Sequence, residues 1–288
     1  MKNPKTKLLK KKPSSLREAL EGKLTEEQLS ELVTSFDIIG TVVVIDIPES
    51  LKKKEKVIGN AILDVHRHLK TVCKRSGIHE GDFRIRPVEV IAGGKSTETE
   101  YKECGALMRF DINKTYFTPR LSHERERIAA FVKPGEKIGY FFAGVGPFGF
   151  VILKKQPAVG KIYAFELNPS AVEYMENNIR INRAQLKMQA VAGDVRKEAP
   201  KYAPYDRIVM PLPKDAHEFL DVALACSKKG TIVHLYGFGE RSKPFEELEK
   251  SALNCAKLRG IKISVQNRKI VRPYSPSTVQ VVFDLAVL

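Results

Sequence analysis

The sequence predicts an α/β protein. A doubly wound, mostly parallel sheet is expected over residues 116–288, behind a small α+β domain at 15–115 and a disordered basic tail at 1–14. Three observations predict it. An apolar run at 137–142 feeds the loop Gly144-x-Gly146-x-x-Gly149 and a helical pattern, and a second apolar run then ends on Glu166. From about residue 121 helical and strand patterns alternate, the signature of parallel strands joined by crossovers. The last two apolar runs, 261–272 and 277–288, are joined only by Pro273, Tyr274, Ser275 and Pro276. Four residues cannot hold a crossover helix, so these two strands must be antiparallel.

The elements follow in order. Thr25 with Gln28 forms a capping-box pattern that opens a short helix. The β-branched run from Thr41 to Ile47, closed by Pro48, reads as a strand. Ile58, Ile62, Val65 and Leu69 recur at helical spacing and predict an amphipathic helix over 54–70. Further strands are expected from Phe83 to Ile91 and near 97–103 and 106–112. In the larger domain Ile128, Phe131 and Val132 end a helix before Pro134-Gly135. Strand 137–142, helix 147–154 and strand 161–166 follow, then helix 169–183 with Asn168 as N-cap and Pro169 as first helical residue. Strands near 187–192, 206–210 and 230–236 alternate with helices 214–227 and 243–258.

The net charge is +15. Residues 1–115 carry 22 Lys and Arg against 17 Asp and Glu, and residues 116–288 carry 27 against 17, so the excess is not confined to the lysine-rich tail. Spread basicity favours a polyanionic partner, nucleic acid before membrane. No apolar run approaches the ~20 residues a spanning helix needs, and the N-terminus lacks a signal-peptide core. A cytoplasmic, monomeric protein is expected. Cys73, Cys104, Cys226 and Cys255 show no C-x-x-C pairing, which favours reduced thiols over disulfides or zinc. No His or carboxylate cluster has metal-ligand spacing, so no metal is expected.

The glycines allow close backbone approach to a ligand, and Glu166 at the end of the next strand can accept from both hydroxyls of a ribose. An adenosine-bearing cofactor is implied. The glycine spacing alone also suits a nicotinamide dinucleotide. Three features favour S-adenosylmethionine. In Gly193-Asp194-Val195, after the third strand, a carboxylate can accept from the adenine amino group while the next N–H donates to the ring. Met210-Pro211-Leu212-Pro213 ends the fourth strand, at the edge where such sheets hold reacting groups. The terminal antiparallel hairpin is the third.

Four segments together resemble a known family. They are Tyr116-Phe-Thr-Pro-Arg-Leu-Ser-His-Glu124-Arg125, Phe142-Ala-Gly-Val-Gly-Pro-Phe148, Glu166-Leu-Asn-Pro169 and Pro211-Leu-Pro-Lys-Asp-Ala-His-Glu-Phe219. The family is the archaeal and eukaryotic tRNA (guanine-37 N1)-methyltransferases, and the similarity runs from about residue 36 to the C-terminus. It implies a class I (Rossmann-like) methyltransferase fold, S-adenosylmethionine as methyl donor and the anticodon arm of tRNA as partner. By the same resemblance Glu124 is the general base and Arg84 steadies charge on the guanine or its phosphate, with Arg86 the other candidate. Tyr116, Arg125, Gly144, Gly146, Glu166, Asp194, Val195 and Pro211 would border the cofactor; Arg86, Arg120 and Pro213 would face the RNA. Phe142, Phe148 and Phe150 are expected in the core. Without the motif, Glu124 reads as an exposed helix residue paired with Arg127 or Arg120.

Two positions depart from the family pattern. Tyr140 stands where an Asp usually ends the first glycine strand, and Pro211 replaces the Asn of Asn-Leu-Pro. The Pro-Leu-Pro form resembles the archaeal branch tied to wyosine synthesis, whose members also methylate C7 of 4-demethylwyosine. A bifunctional enzyme and a plain guanine methyltransferase both remain open. Rival readings are an aminocarboxypropyltransferase of the same fold, a noncatalytic RNA-binding protein on this scaffold, and a nicotinamide enzyme using His123, His217 or His234 as its acid. His217 and His234 read as helix-surface and strand-end residues.

Overall fold

The computed structural model describes residues 13–77 and 85–288. The chain divides into two compact units: one runs to Glu100 and includes Asp111–Asn113, and the other holds Tyr101–Phe110 and Lys114–Leu288. The expected boundary at 115 is not a single crossing. The chain instead crosses between the units three times, because residues 101–110 belong to the second unit while Asp111–Asn113 return to the first.

In the first unit α1 (Leu16–Leu20) is capped by Ser15, whose hydroxyl accepts from Glu18 N. The box on α2 (Glu26–Ser30) forms in full: Thr25 Oγ1 accepts from Gln28 N, and Gln28 Oε1 accepts from Thr25 N. Strands β1 (Phe36–Ile39) and β2 (Val42–Ile45) make a hairpin. A 3-10 turn over Glu49–Lys54 leads into α3 (Glu55–Val65), and β3 (Thr71–Arg75) and β4 (Val88–Gly93) complete a sheet of order β1-β2-β3-β4. Ile58, Ala61 and Ile62 of α3 share one core with Leu20, Val43, Ile45 and Val72. The expected helix over 54–70 is thus shorter at both ends. The strand expected from Phe83 begins at Val88, just after Pro87, with its first two expected residues outside the described ones. β5 (Glu98–Glu103) and β6 (Ala106–Asp111) form a two-stranded sheet, turned by Cys104 and Gly105, both at positive φ.

The second unit opens with α4 (Ser122–Phe131), followed by β7 (Lys137–Phe141), α5 (Pro147–Lys155), β8 (Lys161–Glu166) and α6 (Pro169–Ile181). Asn168 caps α6 as expected, accepting from Ser170 N at 3.0 Å. Then come β9 (Met188–Ala192), α7 (Val195–Glu198) and β10 (Tyr205–Met210). α8 (Leu220–Ala225), β11 (Ser227–Glu240), α9 (Glu246–Leu258), β12 (Ile263–Pro273) and β13 (Thr278–Val287) finish the chain. The helix expected over 214–227 starts as a 3-10 turn at Ala216–Phe219. The seven strands order as β12-β13-β11-β10-β7-β8-β9. β11, β10, β7, β8 and β9 are parallel, and β13 lies antiparallel between β11 and β12.

Alternation along the strands separates two faces. Phe141, Ile208, Met210, Val233, Leu235, Val281, Phe283 and Leu285 point to one side and form a core with Leu220, Leu224, Leu248, Ala252 and Ala256 of α8 and α9. The opposite face carries Tyr140, Arg207, His234, Tyr236 and Asp284, all buried. Among the described residues no helix is long and apolar enough to cross a membrane.

Candidate active site

Because β7, β8, β9 and β10 run parallel, their C-terminal ends lie along one edge of the sheet. The loops that leave Phe141, Glu166, Ala192 and Met210 therefore gather there, where open α/β sheets bind ligands. The glycine loop is shaped by contacts that a side chain would break. Gly146 sits at φ 92 as N-cap of α5, and a Cβ there would meet Phe150 Cε2 at 2.8 Å and Met188 Cε at 3.0 Å. Gly144 at φ 55 has only the Tyr116 carbonyl oxygen near, 3.5 Å from where a Cβ would stand, so its outer side is open. Phe142 holds φ 57, a region costly for a bulky residue. It is half-buried, with its ring edge-on to Phe219 at 4.9 Å, so it belongs to the rim rather than the interior; Phe148 and Phe150 are core.

Glu166 ends β8 with both oxygens engaged: Oε2 accepts from Gly144 N at 2.7 Å and Oε1 from Asn168 N at 2.8 Å. Burial raises its carboxyl, opposed by these backbone donors. A carboxylate has about four acceptor sites, so Glu166 keeps capacity for a hydroxyl donor beside these backbone donors. Asp194 caps α7, with Oδ1 accepting from Arg196 N at 2.9 Å, and Val195 starts the helix. Phe219 is covered by the Arg196 guanidinium at 3.7 Å. After β10, Pro211 and Pro213 are half-buried, and Leu212 N turns back to Met210 O at 2.9 Å. An adenosine fits this chemistry. Gly144 leaves its outer side open to close approach, Gly146 lets the loop turn tightly into α5, Glu166 offers acceptors for hydroxyls, and Asp194 Oδ2 offers one for an amino group.

Tyr140 replaces the expected carboxylate with a fully buried ring, whose hydroxyl donates to Ala143 O at 2.9 Å. Burial pushes its phenol well above the usual range. The hydroxyl thus ties the strand to its own loop.

Glu124 lies in the first turn of α4 and is buried, 3% exposed, not on an exposed helix face. Three donors meet it: Arg127 Nε (2.9 Å) and Tyr236 Oη (3.1 Å) on Oε2, and Lys269 Nζ (2.8 Å) on Oε1. Register locates this carboxylate along the sheet. Met210 pairs with Leu235, and one residue further Tyr236, Val282 and Lys269 stand level across β11, β13 and β12. Glu124 therefore sits at the same edge as the Met210-Pro211 strand end. Arg127 continues to Asp284 Oδ2 at 2.7 Å, and His234 Nδ1 meets Asp284 Oδ1 at 2.6 Å. His234 Nε2 lies 2.7 Å from Arg207 Nη1. Arginine can only donate, so Nε2 accepts and Nδ1 carries the proton given to Asp284. Arg207 closes the chain on Glu136 with two bonds of 2.8 and 2.9 Å. Burial lowers the His234 imidazole against the pull of Asp284, keeping it neutral. Burial would raise Asp284, but bonds from His234 and Arg127 outweigh it and hold the carboxyl well below its usual range.

His234 is thus a mid-strand, buried residue. The strand-end reading fails because β11 runs on to Glu240. His217 is exposed on its 3-10 turn, as read. The charged chain through Arg207, His234 and Asp284 was missed. Its one signal was a polar residue on the buried period of an apolar strand, which demands a partner.

The remaining candidates are placed as follows. Arg125 is 1% exposed and fully engaged: Nε and Nη2 pair with Glu103 at 2.7 and 2.6 Å, and Nη1 donates to Thr118 O at 3.2 Å. It holds the Phe117–Thr118 loop beside Tyr116 by pairing with the β5–β6 hairpin. Tyr116 and Arg120 are exposed. Arg86 belongs to the first unit, where Nε donates to Gly77 O at 3.1 Å and Nη2 lies 3.6 Å from Asp46. Arg84 lies outside the described residues. The four cysteines are free, and burial pushes the Cys73 thiol up to about 12 and that of Cys226 up to about 11, which removes them as nucleophiles. Among the described residues no His, Cys, Asp and Glu group could hold a metal ion.

The model for the TRM5/TYW2 methyltransferase domain matches residues 99–262, more than half of the chain. The chain belongs to the TRM5/TYW2 methyltransferase family. A model for the TYW2 N-terminal domain matches residues 16–97. The tRNA (guanine(37)-N(1))-methyltransferase Trm5b of Pyrococcus abyssi is 38% identical over 277 residues, covering 96% of this chain and 81% of that protein. Its crystal structure superposes with a TM-score of 0.87. The tRNA 4-demethylwyosine(37)-methyltransferase Taw21 of Saccharolobus solfataricus is 35% identical over 252 residues, 87% of this chain and 92% of that one. The structure of aTrm5 in complex with tRNALeu matches at TM-score 0.86 and 32% identity, over 100% of this chain and 82% of that one. The glycine loop, Glu166, Asp194 and Glu124 all fall inside the family's methyltransferase domain.

Proposed function

We propose that this TRM5/TYW2-family protein transfers a methyl group from S-adenosylmethionine to N1 of guanosine 37 in tRNA, in the cytoplasm. The observation that carries the reading is Glu124: a buried carboxylate at the C-terminal edge of the sheet, level with Met210-Pro211 and fixed by Arg127 and Tyr236. When bound, the cofactor supplies an electrophilic methyl group on a sulfonium.

Guanine N1 carries a proton, so its lone pair cannot attack until a base removes it. Glu124 accepts that proton. Arg127 and Tyr236 hold Oε2, which fixes the rotamer and makes Oε1, bonded in the free protein by Lys269, the working oxygen. Glu166 accepts from the ribose hydroxyls, Asp194 Oδ2 from the adenine amino group, and Val195 N donates to the ring. Pro211 and Pro213 form a rigid wall where an amide would otherwise project. The target purine stacks in the anticodon loop and must be turned out to reach Glu124. Basic side chains, Arg120 among them, hold the RNA backbone in a salt-dependent way.

Pro211 favours a second activity at the same nucleoside, methylation of C7 of 4-demethylwyosine, because losing the Asn amide makes room for a larger ring. The 35% identity to Taw21 over 92% of its length supports this. Two substrates test both readings. Unmodified tRNA transcript with labelled donor should yield 1-methylguanosine on digestion, and tRNA bearing 4-demethylwyosine should gain the mass of one methyl group. A gain of an aminocarboxypropyl group would replace methyl transfer with the rival chemistry, and no gain on the second substrate would remove the second activity.

A further inference from the structure

The three donors to Glu124 are not equivalent. Arg127 is mostly buried and tied at its other end to Asp284; Tyr236 is fully buried in the sheet. Neither can leave without breaking the core. Lys269 lies on β12, the outermost strand, with its side chain 45% exposed, and it alone occupies Oε1. The oxygen that must receive the N1 proton is therefore covered by the most exposed of the three donors. An ammonium seated on that oxygen stands where the N1 proton must arrive.

A second observation lies one pair further along the same face. Gln280 of β13 pairs in register with Phe238 and Arg272, and its Oε1 accepts from Arg272 Nε at 2.9 Å. Arginine only donates, so this bond fixes the amide orientation. Nε2 of Gln280 is buried and has no hydrogen-bond partner among the described residues. An orphaned buried donor is costly to keep. Lys269, bonded to Glu124, and Arg272, bonded to the buried Gln280 amide, thus place two basic side chains along the outer strand of the terminal hairpin.

We propose that Lys269 is a substrate-operated latch on Glu124. A phosphate of the RNA draws the exposed Lys269 ammonium off Oε1 and frees that oxygen to accept the N1 proton. The proposal rests on Glu124 being the base. The free protein then holds a capped carboxylate, and RNA binding itself uncovers it. The groups facing Glu124 are Arg127 from α4, Tyr236 from β11 and Lys269 from β12, with Asp284 of β13 reached through Arg127; α5 presents only the Phe148 ring to Tyr236.

The test combines tRNA binding across salt with the pH profile of single-turnover methyl transfer at saturating tRNA. Lys269→Met should weaken tRNA binding roughly three- to tenfold and lower the salt slope by about one, with Lys269→Arg restoring both. At saturating tRNA the acid limb of its rate profile should coincide with that of the wild type, because the latch is already open in the complex. An acid limb displaced by Lys269→Met would mean the lysine stays on Glu124 in the complex, and an unchanged salt slope would mean it meets no phosphate; either overturns the latch. Glu124→Gln separates the two levels: full single-turnover activity in that variant removes the base itself, whatever Lys269 does.

Discussion

The two faces of the seven-stranded sheet are made by the same strands and held together by different physics. On one, Val233, Leu235, Val281, Phe283 and Leu285 pack against α8 and α9 with no charged partner. On the other, His234, Tyr236 and Asp284, the residues between them, join Arg127, Arg207 and Glu124 in a buried ionic chain. The apolar face gains from removing surface from water, and its contribution tolerates any pH. The charged face pays desolvation for each ion and gains position: Glu124 is aimed by residues that cannot rotate away. One face stabilises the sheet, and the other uses that stability to hold a carboxylate at its edge.

The difference is open to attack from the charged side first. Arg207→Met takes the buried partner from half-buried Glu136 and from His234 and should lower unfolding stability by ~3 kcal/mol, with much of the loss recovered in the double variant with Glu136→Gln. Denaturant titration of the three variants checks this, and additive losses would mean the two residues do not act as a pair. On the apolar face Phe283→Ala should cost a similar ~3–5 kcal/mol. Its loss should be the same at pH 5.5 and pH 7.5, which chemical denaturation at the two pH values would show.

Function separates the faces at the next scale down. Glu166→Ala should weaken binding of S-adenosylmethionine by ~1.5–3 kcal/mol, since it removes a charged acceptor for two hydroxyls, while leaving the Glu124 chain intact. Calorimetric titration measures it. The smallest effect concerns pH. His234 is neutral in the fold and its imidazole is held below the ordinary 6.5, so its contribution is full above 6.5 and is lost as pH falls below that value. Asp284, also depressed, adds a further loss below about 3.8. Stability should decline by at most ~1.4 kcal/mol per pH unit below 6.5 from this one group, and His234→Gln should flatten that decline. A decline of equal slope in the variant would assign it elsewhere.

Much of this was legible in the sequence. The β7–α5–β8 unit, the Asn168-Pro169 start of α6 and the antiparallel terminal hairpin follow from local patterns and short connections, and they appear within a few residues of the expected bounds. The two compact units were not separable at a single boundary, because the β5–β6 hairpin packs by long-range contacts that spacing does not encode. Short elements such as α1 and β1 escaped because four or five residues carry too little periodicity. Glu124 could be named from its motif, but not its surroundings. Its partners Tyr236 and Lys269 lie more than a hundred residues away, and the links from Arg127 to Asp284 and from Arg207 to His234 exist only once the strands are ordered. The Gln280 amide is a polar residue in an apolar run, invisible as an orphan until Arg272 is seen to fix it.

The central claim is that a buried carboxylate, aimed by the charged face, removes the N1 proton. Single-turnover methyl transfer by Glu124→Gln, with cofactor affinity measured on the same folded preparation, tests it most directly. The expected result is a ~10²–10⁴-fold fall in rate with S-adenosylmethionine bound as in the wild type. A rate within a few-fold of wild type, or a loss explained entirely by failure to bind the cofactor, would contradict it.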